Sequence, residues 1–89
     1  MNVEDKKTFI AENYPDCMVA NGFGDAILGI VERYGHEAVV LYDKNKCIEI
    51  LMERDKMSEE DAYEHFYYNV IGSYVGKYTP CFAEILQYK

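Results

Sequence analysis

Ala26-Ile27-Leu28-Gly29-Ile30-Val31-Glu32-Arg33-Tyr34-Gly35-His36-Glu37-Ala38-Val39-Val40-Leu41-Tyr42 is the stretch that decides the architecture. Its first half reads two ways. As a helix, Asp25 caps it, Ile27, Ile30, Val31 and Tyr34 form an apolar stripe, and Gly35 ends it. As a strand, it is a short apolar run rich in β-branched residues, with Gly29 at its centre. A glycine inside a helix costs about 1 kcal/mol relative to alanine. The second half, Ala38–Tyr42, has strand composition throughout. Tyr34-Gly35-His36-Glu37 between them is short enough for a hairpin. Two paired strands over 26–33 and 37–42 are therefore favoured, with the helical reading of 26–34 left open.

Downstream, Asp43 is placed to cap a helix running to Arg54, with Cys47, Ile48, Leu51 and Met52 facing inward. Lys56-Met57 makes a short turn. Ser58-Glu59-Glu60-Asp61 is a helix start: the serine hydroxyl can accept from the third helical amide, and Asp61 can reach back. The three carboxylates sit at the positive end of the helix dipole. Ala62, Tyr63, Phe66, Tyr67, Val70 and Ile71 then form a stripe at helical spacing, which Gly72 ends or weakens. Residues 73–79 read as loop and 81–86 as a last strand. Upstream, Asn2 caps a helix over 3–13 whose face is Val3, Phe9, Ile10 and Tyr14, and Pro15 stops it. Asn21–Asp25 is a turn. The expectation is an α+β fold in the order α-β-β-α-α-β, a small mainly antiparallel sheet with helices packed on one face. It is a single domain over 1–89, with 1–16 as a peripheral N-terminal helix.

The chain has 89 residues, 49% of them hydrophobic, which suits one folded domain. Sixteen acidic against nine basic residues give a formal charge of -7. That balance disfavours direct nucleic-acid binding, which needs a basic stripe to neutralise phosphates, and disfavours docking to an anionic membrane. The opening Met1-Asn2-Val3-Glu4-Asp5-Lys6-Lys7 does not have the pattern of a secretory signal. Cys17, Cys47 and Cys81 are odd in number and widely spaced, which fits reduced thiols in a cytosol better than a disulfide framework. His36 and His65 could join them on zinc, but no close ligand pair is present.

Tyr42-Asp43-x-x-Lys46-Cys47-Ile48-Glu49-Ile50-Leu51-Met52-x-Arg54-Asp55-x-Met57-Ser58 is followed by Glu60, Ala62, Phe66, Asn69-Val70-x-Gly72, Val75-Gly76 and Thr79-Pro80-x-Phe82. This run resembles a family of short proteins of unknown function encoded by bacteriophages and prophages. Gly22-Phe23-x-Asp25-Ala26-Ile27 fits the same family, and the resemblance covers roughly residues 20–82. It implies a phage or prophage origin and a bacterial host cytosol as working place. It assigns no activity, so it transfers no catalytic residue.

Residue by residue, no catalytic set emerges. Asp61 and His65 lie one helical turn apart with Glu64 nearby, but neither the Glu-x-x-His nor the His-Glu-x-x-His pattern is met, and a solvated acidic face with His65 in a helical ion pair is the simpler reading. Cys47 near a helix start has the position of an activated thiol, yet it falls on the apolar stripe as a core residue. Gly22-Phe23-Gly24 with Gly29 lacks the remaining glycine of a dinucleotide loop and any Gly-Lys-Ser/Thr, and reads as a turn. Nine tyrosines and no tryptophan stand out. Tyr68, Tyr74 and Tyr78 are divided between interface and half-buried packing roles.

These features predict a small, acidic, non-enzymatic protein with no cofactor or metal. It would bind, and inhibit or modulate, a host or phage protein. The expected contact residues are Glu53, Asp55, Glu59, Glu60, Asp61, Glu64, Tyr68, Tyr74 and Tyr78. Such a patch can imitate nucleic-acid phosphates and attract a basic nucleic-acid-binding protein. Two alternatives stand beside it: a small ligand-binding regulator or enzyme with a pocket between sheet and helices, and a homodimeric structural protein.

Overall fold

Asn2 starts the first helix by local chemistry. In the computed structural model, which describes residues 1–73 and 75–86, its side chain accepts from the Asp5 amide at 2.8 Å. Helix α1 spans Val3–Asn13, and Tyr14 before Pro15 takes a non-helical φ of -136°. Of the expected apolar face only Ile10 is fully buried. Phe9 is 45% exposed and lies against Tyr14. One buried side chain thus fastens α1 to the core, helped by Lys6, whose ammonium donates to the Ile27 carbonyl at 2.9 Å.

The order continues as β1 (Ile27–Val31), β2 (Val39–Asp43), α2 (Lys44–Arg54), α3 (Glu59–Phe66) and β3 (Cys81–Ala83), with a 3-10 turn at Gly24–Ala26 and a π-turn at Tyr67–Ile71. Residues 27–31 are strand, which resolves the open reading. The strands are shorter than expected. Ala26 belongs to the 3-10 turn, residues 32–38 peel away as the connection, and β3 ends at Ala83. The turn within that connection closes with the His36 amide donating to the Arg33 carbonyl, and Gly35 takes the positive φ of 82° that this bend requires.

β1 and β2 pair antiparallel with a bulge: Ile27 faces Tyr42, Gly29 faces Leu41 and Ile30 faces Val40. The bulge has a packing consequence. Residues three apart in a regular strand point to opposite faces, but the extra residue lets Ile27 and Ile30 share the face of Tyr42 and Val40. Leu28 is the residue displaced outward, 48% exposed. β3 joins the other side of β2 in parallel, with Tyr42 beside Phe82 and Leu41 beside Cys81. The intervening α2 and α3 form the long crossover that parallel neighbours need.

The Val40–Tyr42 face carries the helices. Val40, Tyr42, Cys47, Leu51, Ala62 and Phe66 are all sealed from solvent and belong to one cluster with Ile10, Phe23, Ile27 and Ile48. Phe82 stacks on Tyr42, ring centroids 5.4 Å apart, and meets Phe66 edge-on at 5.2 Å. The Tyr42 hydroxyl accepts from the Ala20 amide at 2.8 Å, tying the segment between α1 and β1 to the sheet. Arg54 closes the far end of α2 against the same segment. It donates to the Gly22 carbonyl at 2.8 Å and lies over the Phe23 ring.

α3 departs from the expected stripe. Ala62 and Phe66 are fully buried and Val70 half-buried, but Tyr63, Tyr67 and Ile71 are 37%, 46% and 41% exposed. The 62–66–70 line faces α2 and Phe82. The adjacent 63–67–71 line lies about 100° round the helix, at the rim of the contact. The α-helix also gives way after Phe66 to a π-turn, closed by the Gly72 amide donating to the Tyr67 carbonyl at 3.0 Å. A side chain at position 72 would meet the Tyr68 carbonyl at 2.8 Å, so the tight closure suits glycine.

Candidate functional site

The acidic end of the molecule is built by two caps and a turn. Asp43 caps α2 by accepting from the Lys46 amide at 3.2 Å, and Ser58 caps α3 by accepting from the Asp61 amide at 3.1 Å. Between them Lys56 takes a left-handed φ of 59°, in a connection of four residues, 55–58, that reverses the chain. The carboxylates at the end of α2 are thereby carried to the start of α3, whose first turn holds Glu59, Glu60 and Asp61.

Glu53, Asp55, Glu59, Glu60, Asp61 and Glu64 are all exposed. They are not equivalent. Asp55 is engaged by its neighbour: Arg54 donates from Nε and Nη2 to its two oxygens, each at 3.1 Å. Those bonds, with the guanidinium charge and a smaller contribution from His65, hold the Asp55 carboxyl below the usual carboxylate range. Asp61 and Glu64 have a different setting. With His65, Tyr68 and Asn69 they line a shallow groove of about 430 Å³ along α3. The spacing 61, 64, 65, 68 is one helical face, the polar counterpart of the buried stripe. Tyr68 stands at its edge, 78% exposed.

His65 is not in the helical ion pair expected of it. The Asn69 side-chain amide lies 3.3 Å from its Nδ1. His65 and Asn69 are the groove residues that sequence reasoning left out of the interface, although both lie on the same helical face as Asp61 and Glu64. Tyr78 is not brought to this groove. It is half-buried in the loop before β3, with the Lys77 ammonium 5.4 Å from its ring centroid and its carbonyl accepting from the Met18 amide. Tyr74, also expected at the interface, lies outside the described residues. Tyr67, expected in the core, instead borders the surface, where the Lys44 ammonium donates to its hydroxyl at 3.1 Å and pairs with Glu84 at 2.6 Å.

The other candidate chemistries resolve residue by residue. Cys47 is fully buried, and its thiol is pushed up to about 12, chiefly by burial and then by the Asp43 charge. It is therefore a protonated core residue at neutral pH. Cys17 donates to the Ala38 carbonyl at 3.1 Å, and burial, then Asp16, raises its pKa. Among the described residues no three His, Cys, Asp or Glu side chains gather as metal ligands, and no helix is long and apolar enough to cross a membrane. At the glycine turn, the Arg54 guanidinium packs against Gly22 and donates to its carbonyl, so the turn is held by the end of α2. An opening larger than the α3 groove lies elsewhere than between sheet and helices. It is a cleft of about 640 Å³ on the opposite face of the sheet, under the β1–β2 connection and the loop before β3.

No protein-family profile matches this chain, and no curated protein or solved structure matches it significantly.

Proposed function

We propose that this chain is a non-enzymatic binding protein of phage type that occupies a basic surface of a host protein and so inhibits or modulates it in the host cytosol. One observation carries the reading: Asp61, Glu64 and Tyr68, expected at an interface from sequence, share one groove along α3 and the π-turn, beside the exposed carboxylates of the helix's first turn. The carboxylates supply a field that attracts a basic partner, and the groove supplies short-range contact once it arrives. A nucleic-acid-binding protein is the partner whose charge such a surface complements.

The two parts of the site leave different kinetic signatures. Neutralising Glu59, Glu60 and Asp61 together (E59Q/E60Q/D61N) slows association by about tenfold and flattens its salt dependence, since exposed charges are screened over about 8 Å at physiological salt. Tyr68→Ala leaves association alone and speeds dissociation. The measurement is surface-immobilised binding kinetics of the full chain with a purified host partner at several salt concentrations, alongside each variant's melting temperature. If neither set of changes alters the kinetics while both variants stay folded, the interface is elsewhere and the reading is wrong.

A further inference from the structure

We infer that the cleft on the open face of the sheet is a binding site for a small organic monocarboxylate with an apolar body. The register places Val31 opposite Val39 and Leu41 beside Cys81, so these side chains share the face turned away from the helices. Val39 is only 6% exposed, yet it is not part of the cluster that packs under the helices. Its cover comes from the walls of the cleft. One wall is the β1–β2 connection, the other the loop before β3. They are joined by the Lys77–Glu37 ion pair at 3.6 Å. The second wall is tied internally, with Thr79 Oγ1 donating to the Gly76 carbonyl at 2.7 Å and accepting from the Val75 amide at 2.9 Å.

The volume, about 640 Å³, lies in the range of small-molecule sites, and Val31, Val39 and Pro80 give it an apolar lining. The polar side of the lining decides the charge of the ligand. Of the two cations in the lining, Lys77 pairs with Glu37. Arg33 pairs with no carboxylate among the described residues. Its Nη2 lies 2.8 Å from His36 Nε2. The guanidinium faces that ring nitrogen rather than a carboxylate, although Glu32 and Glu37 also line the cleft. The remaining N–H donors of that fork match a carboxylate in planar, two-bond geometry. With those two glutamates in the lining and a net charge of -7 on the chain, a single negative charge is accommodated where a phosphate ester would be repelled.

The test uses the full chain, labelled with nitrogen-15 and titrated at neutral pH with octanoate, with 1-octanol and with inorganic phosphate. Octanoate should give saturable amide shifts centred on Gly35, His36, Lys77 and Thr79. Octanol should bind about tenfold or more weakly, and phosphate should give no saturable shift. Arg33→Gln should reduce octanoate affinity to that of octanol with no change in melting temperature, because Arg33 is exposed. Cys81 provides an independent readout: it is the exposed cysteine of the three and lines the cleft, so saturating octanoate should slow its alkylation while Cys17 and Cys47 are unaffected. Octanoate shifts that never saturate or that centre on α3, phosphate binding as strong as octanoate, or unchanged octanoate affinity in a folded Arg33→Gln would each overturn the assignment.

Discussion

Replacing Tyr42 by phenylalanine removes one oxygen from the centre of the molecule and leaves the ring in place. The ring is fully buried and stacked on Phe82. The lost hydroxyl is the acceptor of the Ala20 amide at 2.8 Å. Burial pushes the phenol's pKa above its ordinary value, partly offset by the Ala20 bond, so the group is a neutral acceptor throughout the physiological range. A hydrogen bond contributes about 1 kcal/mol net, and leaving its partner unsatisfied in the interior costs about 1–3 kcal/mol. Ala20 is half-buried, so its freed amide can partly reach water, and the lower part of that range applies. Tyr42→Phe should therefore cost about 1–2 kcal/mol. In a domain of this size that lowers the melting temperature by roughly 4–8 °C per kcal/mol. Tyr42→Ala, which also empties the ring's place, should cost about 3–5 kcal/mol or more. Urea denaturation gives both values, and the phenylalanine variant should keep the wild-type slope. Hydrogen exchange supplies the local readout, since the Ala20 amide should lose protection in Tyr42→Phe. A phenylalanine variant as stable as the wild type, with Ala20 equally protected, would refute the claim that this bond fastens the 14–26 segment to the sheet.

Three further outcomes are expected. Phe66→Ala should cost about 3–5 kcal/mol and Ser58→Ala about 1 kcal/mol, because one empties a sealed core position and the other frees a single cap amide; urea melts distinguish them. Lys56→Gly should raise stability by about 0.5–1 kcal/mol in the same assay, since Lys56 holds a left-handed φ that costs a side-chain-bearing residue more than glycine. Asp55 and Glu84 are both held below the usual carboxylate range, first by hydrogen bonds from Arg54 and Lys44. Their contribution is thus fully present above the unfolded carboxylate pKa of about 4 and is lost as pH falls through the depressed folded values. Melting temperature should drop across that acid window, and the drop should be smaller in Glu84→Gln.

What the sequence determined by itself is the set of structures held by neighbours a few residues apart. The Asn2, Asp43 and Ser58 caps each act on an amide three positions on, so the starts of all three helices, and the inward line Cys47, Ile48, Leu51, could be read directly. The acidic helix start and the one-turn spacing of Asp61 and His65 belong to the same class, because helical geometry alone fixes them. Tertiary structure decided everything that depends on partners far along the chain. The bulge at Leu28 exists because Ile27 and Ile30 must both reach the face of Tyr42 and Val40. β3 runs parallel to β2, a pairing that the long crossover through α2 and α3 permits, and its strand ends at Ala83, where pairing with β2 ends. The 63–67–71 line is half-exposed because α3 is covered along one line only, a property of its neighbours rather than of its own periodicity. The cleft at Arg33 needs residues from 31–39 and 76–81 at once. Capping and helical periodicity act over four residues or fewer, whereas a sheet face, a bulge or a cleft is specified only when distant segments meet.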